Sequence, residues 1–357
     1  MVESGRLTDY LGKVNRSYLN RIIYPRLGAS RREVVVGPKF GVDNAVIKMG
    51  PRNVLVATTD PLSYIPRLRP RESAWLSVHL LASDLTTSGF APQYGIFDFN
   101  LPPEMGNEEF AKYWKAFSAE CDKLGLSIVG GHTGRYQGCG YSVIGGGVMY
   151  SVGHEDSYVT SAMGQKGDDL ILTKGFAVET TAVLTRAFPR TIKKVLGDKL
   201  FEKSWRYLRE VSTVKDALAA ASIGVHSEGV TAMHDATEGG VIAGVFEVAA
   251  ASGLGAELDL TNISVSEETT ALCKFFRINP LTSLSEGTLI IAVRPNRTSR
   301  VLGELESVGI WSQVIGELSS KSHSVWAKTK KGRVRIAYPR FDPYWKAYWK
   351  GTSKRLK

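Results

Sequence analysis

The chain has 357 residues, of which 43% are hydrophobic and 22% are charged, and its formal net charge is +10. This composition is typical of a globular protein, and the length favours two domains over one. No apolar run approaches the roughly 20 residues that a membrane-spanning helix needs, and the N-terminus lacks a signal-peptide core, so we expect a cytoplasmic protein without a membrane anchor.

The first part of the chain predicts an α/β unit. Residues 53–59 are apolar and rich in β-branched side chains, which indicates a buried strand. Residues 71–88 follow with apolar side chains at helical spacing. A further strand, a helix and two more strands are predicted at 91–101, 107–124, 126–129 and 141–152. We therefore place an N-terminal domain at residues 1–153.

A loop-like stretch at 154–168 predicts a linker to a second domain at residues 169–330. This domain again alternates strands with helices. Its predicted strands are 169–173, 230–234, 256–260, 288–293 and 312–316, and the helices include 266–276 and 296–307. The overall prediction is a two-domain α+β fold.

The last residues, 331–357, form a basic tail in which aromatic side chains alternate with lysines. Such a segment can stack on nucleic-acid bases. Its aromatic side chains can equally pack on the body of the protein while the lysines stay in solvent. Because nothing in residues 30–320 is organised for nucleic acid, we regard a nucleic-acid partner as unlikely.

Three acidic side chains stand where strands or helices should end: Asp43, Asp60 and Asp84. Asp60 ends a predicted strand before Pro61, and Asp84 lies near the end of a predicted helix, where its charge opposes the helix dipole. Turn formation is the alternative for Asp43 and Asp60. Together the three carboxylates suit one Mg²⁺–phosphate site, since Mg²⁺ is held by carboxylates and substrate phosphates.

A second group is the run His234-Asp235-Ala236-Thr237-Glu238-Gly239-Gly240, where a predicted strand turns into a helix. A helix N-terminus of this kind suits an anion. Asp235 or Thr237 could instead be a simple N-cap, although capping does not require two glycines. His132 lies in a glycine-rich loop, and its imidazole could titrate or bind a metal. The alternative is that His132 has a structural role.

Neither a P-loop nor a strand-placed GxGxxG motif occurs in the chain. Read in order, however, six segments resemble the PurM-like ATP-binding superfamily, which includes aminoimidazole ribonucleotide synthetase, thiamine-monophosphate kinase, selenophosphate synthetase and the hydrogenase maturation factor HypE. The segments are Gly41–Val46, Thr58–Asp60, Ser83–Leu85, Gly130–His132, His234–Gly240 and Ser285–Leu289.

The resemblance implies a homodimer whose N-terminal domains pair through their sheets, with ATP and Mg²⁺ bound beside that interface and a small-molecule substrate. It implies metal ligands at Asp43, Asp60 and Asp84 and catalytic groups at Asp235, Glu238 and His132. The implied cofactor-binding residues are Lys39, Asp43, Thr59, Asp60, Ser83, Asp84 and Gly131. We interpret Lys39 as a contact of a phosphate group. The alternative is that Lys39 lies in a loop and its ammonium is solvated.

The chain also departs from the family pattern. Val42 replaces the first Asp of the usual pair, and Ser83 replaces the usual Asn. The N-terminal catalytic Cys of selenophosphate synthetase and the C-terminal Cys of HypE are both missing, because the three cysteines are Cys121, Cys139 and Cys273. We predict an ATP- and Mg²⁺-dependent enzyme acting on an oxygen of a small metabolite. The alternative is an ATP-binding maturation scaffold without turnover that docks a partner protein.

Overall fold

The structure is a computed structural model that describes residues 12–14, 16–320 and 324–357. Within the described residues, its N-terminal half contains one β-sheet, three α-helices and a π-helical turn at Leu19–Ile23. The strands are β1 (Val34–Val36), β2 (Ala45–Lys48), β3 (Asn53–Ser63), β4 (Tyr94–Leu101), β5 (Ser127–Arg135) and β6 (Val143–His154). The helices are α1 (Arg16–Tyr18), α2 (Pro70–Thr86) and α3 (Asn107–Lys123).

The C-terminal half contains the second sheet. Its strands are β7 (Asp169–Thr173), β8 (Val230–Asp235), β9 (Gly255–Asp259), β10 (Leu289–Val293), β11 (Ser312–Ser319), β12 (Val325–Thr329) and β13 (Gly332–Ile336). Its helices are α4 (Val178–Ala187), α5 (Pro189–Arg206), α6 (Val214–Ser222), α7 (Gly240–Ala251), α8 (Glu267–Phe276), α9 (Thr298–Ser307) and α10 (Pro343–Ser353).

Helices pack on one face of the first sheet. The strand order is β1-β2-β3-β6-β4-β5, with β4 and β5 parallel and the other neighbours antiparallel. Side chains of α2 and α3 pack with Phe97 and Phe99 in a buried core. Apolar side chains on the strands or at their ends are nevertheless exposed: Tyr94, Ile96, Val129, Val143, Val148 and Val152. We call this set the open face. Apolar side chains exposed together on one sheet are typical of a surface on which another chain packs.

The second sheet is covered on both faces. Its order is β13-β12-β9-β11-β7-β10-β8, and only β12 and β9 pair in parallel among the described strands. Leu170 and Leu172 pack against α7 on one side, whereas Ile171 packs with α6 and α9 on the other. Burial on both faces explains why the central strands are continuous apolar runs without alternation.

The C-terminal segment packs on the protein body. Tyr344 and Tyr348 of α10 are buried in a core cluster with Phe188, and Arg67 donates to the Leu356 carbonyl at 2.9 Å. These two tyrosines are thus unavailable for base stacking, as the packing alternative predicts, whereas Tyr338, Phe341 and Trp349 are exposed. In the part of the chain that the structure covers, no helix is both long and apolar enough to cross a lipid bilayer.

Candidate functional site

The three predicted acidic segments are joined by hydrogen bonds. Asn44, beside Asp43, donates through Nδ2 to the Asp84 carbonyl at 2.8 Å and to Thr87 Oγ1 at 2.7 Å. Thr58 Oγ1 donates to the Asp43 carbonyl at 2.9 Å and lies 3.4 Å from Asp84 Oδ2. These bonds join the loop before β2, strand β3 and the end of α2, so the carboxylates of Asp43 and Asp84 come together.

Strand β3 adds Asp60 through the alternation of its side chains. Successive residues of a strand point to opposite faces. Thr58 is buried and Asp60 is partly buried, whereas Thr59 is exposed and donates to the Gly147 carbonyl at 2.8 Å. Thr58 and Asp60 therefore lie on the same side as Asp84. Thr59, which was predicted to bind the cofactor, points the other way.

Strand β8 brings Asp235 from the second sheet. All six residues of β8 are buried, and no N–H or hydroxyl group of the described residues donates to either carboxylate oxygen of Asp235; its polar neighbour is the carboxyl group of Asp84. A buried carboxylate without donors is costly, so these two oxygens call for a cation. The N-cap alternative does not hold for Asp235 or Thr237, because the N-cap of α7 is Gly239.

The two glycines that open α7 are explained by close backbone approach. Gly240 has φ +62°, and a Cβ on it would lie 2.6 Å from the Ser283 carbonyl oxygen. The Gly239 N–H donates to Asp342 Oδ2 at 2.7 Å. The anion at this helix N-terminus is therefore the chain's own Asp342, delivered by the C-terminal segment.

His234 is a buried cation between two carboxylates. Its Nδ1 lies 2.8 Å from Asp43 Oδ1 and its Nε2 lies 2.7 Å from Glu247 Oε2. Burial by itself would lower the pKa of His234, but the two carboxylates outweigh it and raise the pKa to about 10. Burial would raise the pKa of Glu247, yet Lys13, His234 and the Tyr338 hydroxyl lower it to about 2.

Further carboxyl groups crowd the same space. Burial, reinforced by neighbouring negative charges, raises the pKa of Asp60 to about 7 and that of Asp235 to about 6. Burial also raises the pKa of Asp84 and Glu286 well above their usual values and that of Glu179 to about 8. Such raised carboxyl pKa values indicate a site in which the negative charge exceeds the positive charge that the folded chain supplies.

Lys13 supplies positive charge to this site, and no motif in the sequence identified it. Its Nζ donates to Thr237 Oγ1 at 2.6 Å, and its backbone N–H donates to Glu238 Oε2 at 2.5 Å. Burial of the ammonium would lower its pKa, but the surrounding carboxylates, Glu247 foremost, raise it above the usual value. A Cβ at Gly12 would lie 2.4 Å from Glu238 Oε2, so the segment approaches the acidic turn closely.

The donor set fits a hard divalent cation. Asp43, His234 and Asp235 each place one ligand atom within 4.8 Å of the other two. Both nitrogens of His234 are bonded to carboxylates, and both Asp43 oxygens lie within 2.9 Å of its Nδ1. The ligand atoms without a hydrogen-bond partner among the described residues are therefore the two oxygens of Asp235, with Asp43, Asp84 and Asp60 beside them. Carboxylate oxygens suit Mg²⁺, whereas Zn²⁺ takes nitrogen and sulfur ligands more often.

Other predicted residues lie elsewhere in this chain. The Lys39 ammonium donates to the Ala251 carbonyl at 2.7 Å, at the far end of α7 from the acidic turn. Ser83 Oγ accepts from the Thr213 N–H at 2.9 Å and so joins the two halves of the chain. His132 is exposed on β5 and bonded to the Tyr136 hydroxyl at 2.7 Å.

Strands β6 and β4 separate β5 from β3 in the sheet. Gly131, like His132, is on β5 and is therefore not brought to the carboxylates within one chain. The catalytic role of His132 and the cofactor-binding roles of Gly131, Lys39, Ser83 and Thr59 remain predictions that this arrangement does not favour.

Two family models match the chain. The model of the N-terminal domain of AIR synthase related proteins covers residues 41–150, and the model of the C-terminal domain covers residues 165–327. Together the two models span more than half of the chain. Each of the two sheets lies largely within one of them.

Individual proteins match over nearly the whole length. A protein of Methanocaldococcus jannaschii named for hydrogenase expression/formation is 23% identical over 337 residues, which are 93% of this chain and 96% of the relative. A HypE–HypF complex structure aligns with 20% identity and a TM-score of 0.66 over 82% of this chain and 93% of the other.

A structure of hydrogenase maturation protein HypE in complex with ATP aligns with 17% identity and a TM-score of 0.59 over 93% of this chain and 97% of the other. At these identities the structural alignments show a common fold. They confirm the predicted two-domain α+β fold.

Proposed function

Because this chain belongs to the AIR synthase related protein family, we propose that it is an ATP- and Mg²⁺-dependent enzyme. Its reaction is the phosphorylation, or activation by ATP, of an oxygen of a small metabolite. The observation that carries this proposal is that Asp43, Asp60 and Asp84 lie close to the buried carboxylate of Asp235, whose two oxygens have no hydrogen-bond partner among the described residues. The ATP complex of a HypE with the same fold supports the choice of nucleotide.

In this proposal Asp43, Asp84 and Asp235 would hold Mg²⁺, with Asp60 beside them. When bound, Mg²⁺ supplies charge neutralisation of the phosphate oxygens. His234 keeps Asp43 oriented, since its Nδ1 is bonded to that carboxylate while Glu247 holds the opposite nitrogen. The carboxylates thereby keep a fixed geometry before any ligand arrives, which is the form that electrostatic catalysis needs.

Lys13 is the proposed phosphate contact in place of Lys39. Its ammonium already lies among the carboxylates, bonded to Thr237 Oγ1 at 2.6 Å. Once a divalent cation takes over the neutralisation of those carboxylates, the ammonium becomes free to bind a phosphate oxygen. Glu238 holds the Lys13 backbone N–H and so positions the lysine against the turn.

Calorimetric titration with ATP, with and without Mg²⁺, tests the site. We expect ATP to bind the wild type only in the presence of Mg²⁺. Asp60→Asn should weaken that binding by about tenfold to a hundredfold, the range seen when a metal site loses a supporting carboxylate. Asp122→Asn, on the exposed surface of α3, is the matched control and should bind as the wild type does. Equal affinity in the Asp60 variant would reject the site.

The Lys13→Ala variant should show whether Lys13 only neutralises the carboxylates of the acidic site or also contacts the transferred phosphate. If the ammonium contacts the transferred phosphate, turnover falls by about a hundredfold to a thousandfold, as for loss of one transition-state donor. ATP affinity should change far less, and Lys13→Arg should recover part of the turnover. A lysine that only neutralises the acidic site would leave turnover intact and lower the free energy of unfolding. Single-turnover phosphate release and chemical denaturation distinguish the two results.

A homodimer is part of the proposal. The open face presents Ile96, Val148 and Val152 at 37–45% exposure, and a second copy paired on it would bury them. His132 lies on β5 of the same sheet. Its predicted catalytic role would therefore require that it act at the acidic site of the second copy. Sedimentation of the full-length chain as a monomer at micromolar concentration would contradict this arrangement.

The second candidate is an ATP-binding maturation scaffold without turnover. Val42, at the position where the family pattern has the first Asp of a pair, favours it, and a HypE has been solved in complex with HypF. This candidate expects ATP to bind while no phosphate is released with any metabolite tested. Robust ATP-dependent phosphorylation of a small molecule would exclude it.

A further inference from the structure

A basic cavity lies between the two halves of the chain, at the start of α2. Arg69, Arg71, Trp75, Arg186 and Arg209 line it, and its volume is about 200 Å³. Because an α-helix rises 1.5 Å per residue, this end of α2 is about 21 Å from Asp84. The basic cavity is therefore separate from the acidic site.

Positive charge is in excess around the basic cavity. Arg186 forms an ion pair with Glu72 and donates to the Trp205 carbonyl at 2.7 Å. The side chains of Arg69, Arg71 and Arg209 form no ion pair with any carboxylate in the described residues. One carboxylate thus faces four guanidinium groups.

One donor of Arg186 has no acceptor. Its Nε is buried and has no hydrogen-bond partner among the described residues. Burial, together with the guanidinium groups of Arg69 and Arg209, holds the pKa of Arg186 below its usual value, although Glu72 opposes the shift. The Arg186 guanidinium also stacks on the Trp205 ring, with its Cζ 3.8 Å from the ring centre. Arg69, Arg71 and Arg209 are exposed, so their guanidinium groups are accessible to a negatively charged ligand at the basic cavity.

We propose that the basic cavity binds a phosphate group, either free phosphate or the phosphate of a small phosphorylated metabolite. Arginine presents a planar fork of donors that matches phosphate oxygens two at a time. The N-terminus of α2 adds its positive dipole end at the same place, next to Arg69 and Arg71. A volume of about 200 Å³ holds a phosphate with a short organic group and is small for a drug-sized ligand.

The bound phosphate would link the two halves of the chain. Arg69 and Arg71 lie at the start of α2, whereas Arg186 belongs to α4 and Arg209 follows α5. The Arg209 guanidinium also lies 5.8 Å from the Trp75 ring centre. The fluorescence of this indole should therefore change when a ligand moves the Arg209 side chain. This site is independent of the proposed ATP chemistry and can be tested alone.

The test is a calorimetric titration of the full-length chain with inorganic phosphate at constant ionic strength, without Mg²⁺ or nucleotide. We expect saturable binding that weakens about tenfold or more in Arg71→Ala/Arg209→Ala, because each charge-assisted hydrogen bond contributes strongly. Arg71→Lys/Arg209→Lys keeps the charge but loses the fork and should be intermediate. Arg190→Ala/Arg300→Ala removes two exposed arginines elsewhere and should bind as the wild type does.

A second titration with glycerol phosphate identifies the source of the phosphate. Tighter binding than inorganic phosphate indicates a phosphorylated metabolite, and equal binding indicates free phosphate. Absence of saturable binding to the wild type would overturn the proposal. Equal affinity in the wild type and the Arg71/Arg209 alanine variant would also overturn it, and circular dichroism verifies that each variant is folded.

Discussion

Asp84→Asn should stabilise the metal-free protein and abolish its activity. Burial and the neighbouring Asp235, Asp60 and Asp43 raise the pKa of Asp84 well above its usual value, so its ionised form is unfavourable in the folded chain. A group with a raised carboxyl pKa destabilises the folded state at neutral pH, and a neutral amide of the same shape relieves that repulsion. Without Mg²⁺, we therefore expect the unfolding temperature to rise by a few degrees.

The same substitution should reduce ATP turnover by about a hundredfold or more, because the metal-binding oxygens are the ones that turnover requires. Thermal unfolding in EDTA and single-turnover phosphate release measure the two effects. Gain of stability with loss of activity is typical of functional sites. A structural Asp84 would give the opposite pattern, with lower stability in EDTA and turnover that follows only the folded fraction. Asp122→Asn serves again as the exposed control.

His234→Ala should be among the most destabilising single substitutions in the chain. It leaves Asp43 and Glu247 without the buried cation that lies 2.8 and 2.7 Å from them. Removing one partner of a buried ion pair costs about 3–5 kcal/mol, because an uncompensated charge remains. Urea denaturation in EDTA measures the free energy of unfolding. Adding Glu247→Gln to His234→Ala should recover part of the loss, and no recovery would contradict the assigned contacts.

The loss caused by His234→Ala should depend on pH. The pKa of His234 rises from 6.5 to about 10 on folding, so its contribution is fully present below pH 6.5 and is lost as the pH rises through 10. The pKa of Glu247 falls to about 2, so its contribution is present above about pH 4.5 and is lost as the pH falls through 2. Denaturation of wild type and variant in EDTA should therefore differ most near pH 5–6 and less at pH 9–10.

The sequence identified several of the acidic residues that the structure brings together. Asp84 lies near the end of α2, as its apolar pattern predicts, and Asp235 is the last residue of β8. The predicted strand end at Asp60 was wrong, because β3 continues through Pro61 to Ser63, paired with β6. Alternation along a strand places Thr59, a neighbour of Asp60, on the opposite face, so the fold does not favour the cofactor-binding role predicted for Thr59.

Long-range contacts could not be predicted in this way. Lys13 reaches the site from a segment without a periodic pattern, and Asp342 reaches the start of α7 from the C-terminal segment. Lys39 is basic and precedes the first acidic motif, yet its ammonium is satisfied by the Ala251 carbonyl. Which lysine faces the carboxylates depends on tertiary packing, which neither spacing nor propensity specifies.

The most direct measurement is anomalous scattering from Mn²⁺ in crystals grown with a non-hydrolysable ATP analogue. We predict a peak bound by carboxylate oxygens of Asp43, Asp84 and Asp235, at about the 2.0–2.2 Å that small divalent cations adopt, and in contact with the analogue's phosphates. Lys13 should then contact a phosphate oxygen. A bound analogue whose phosphates and metal lie away from these carboxylates would contradict the account.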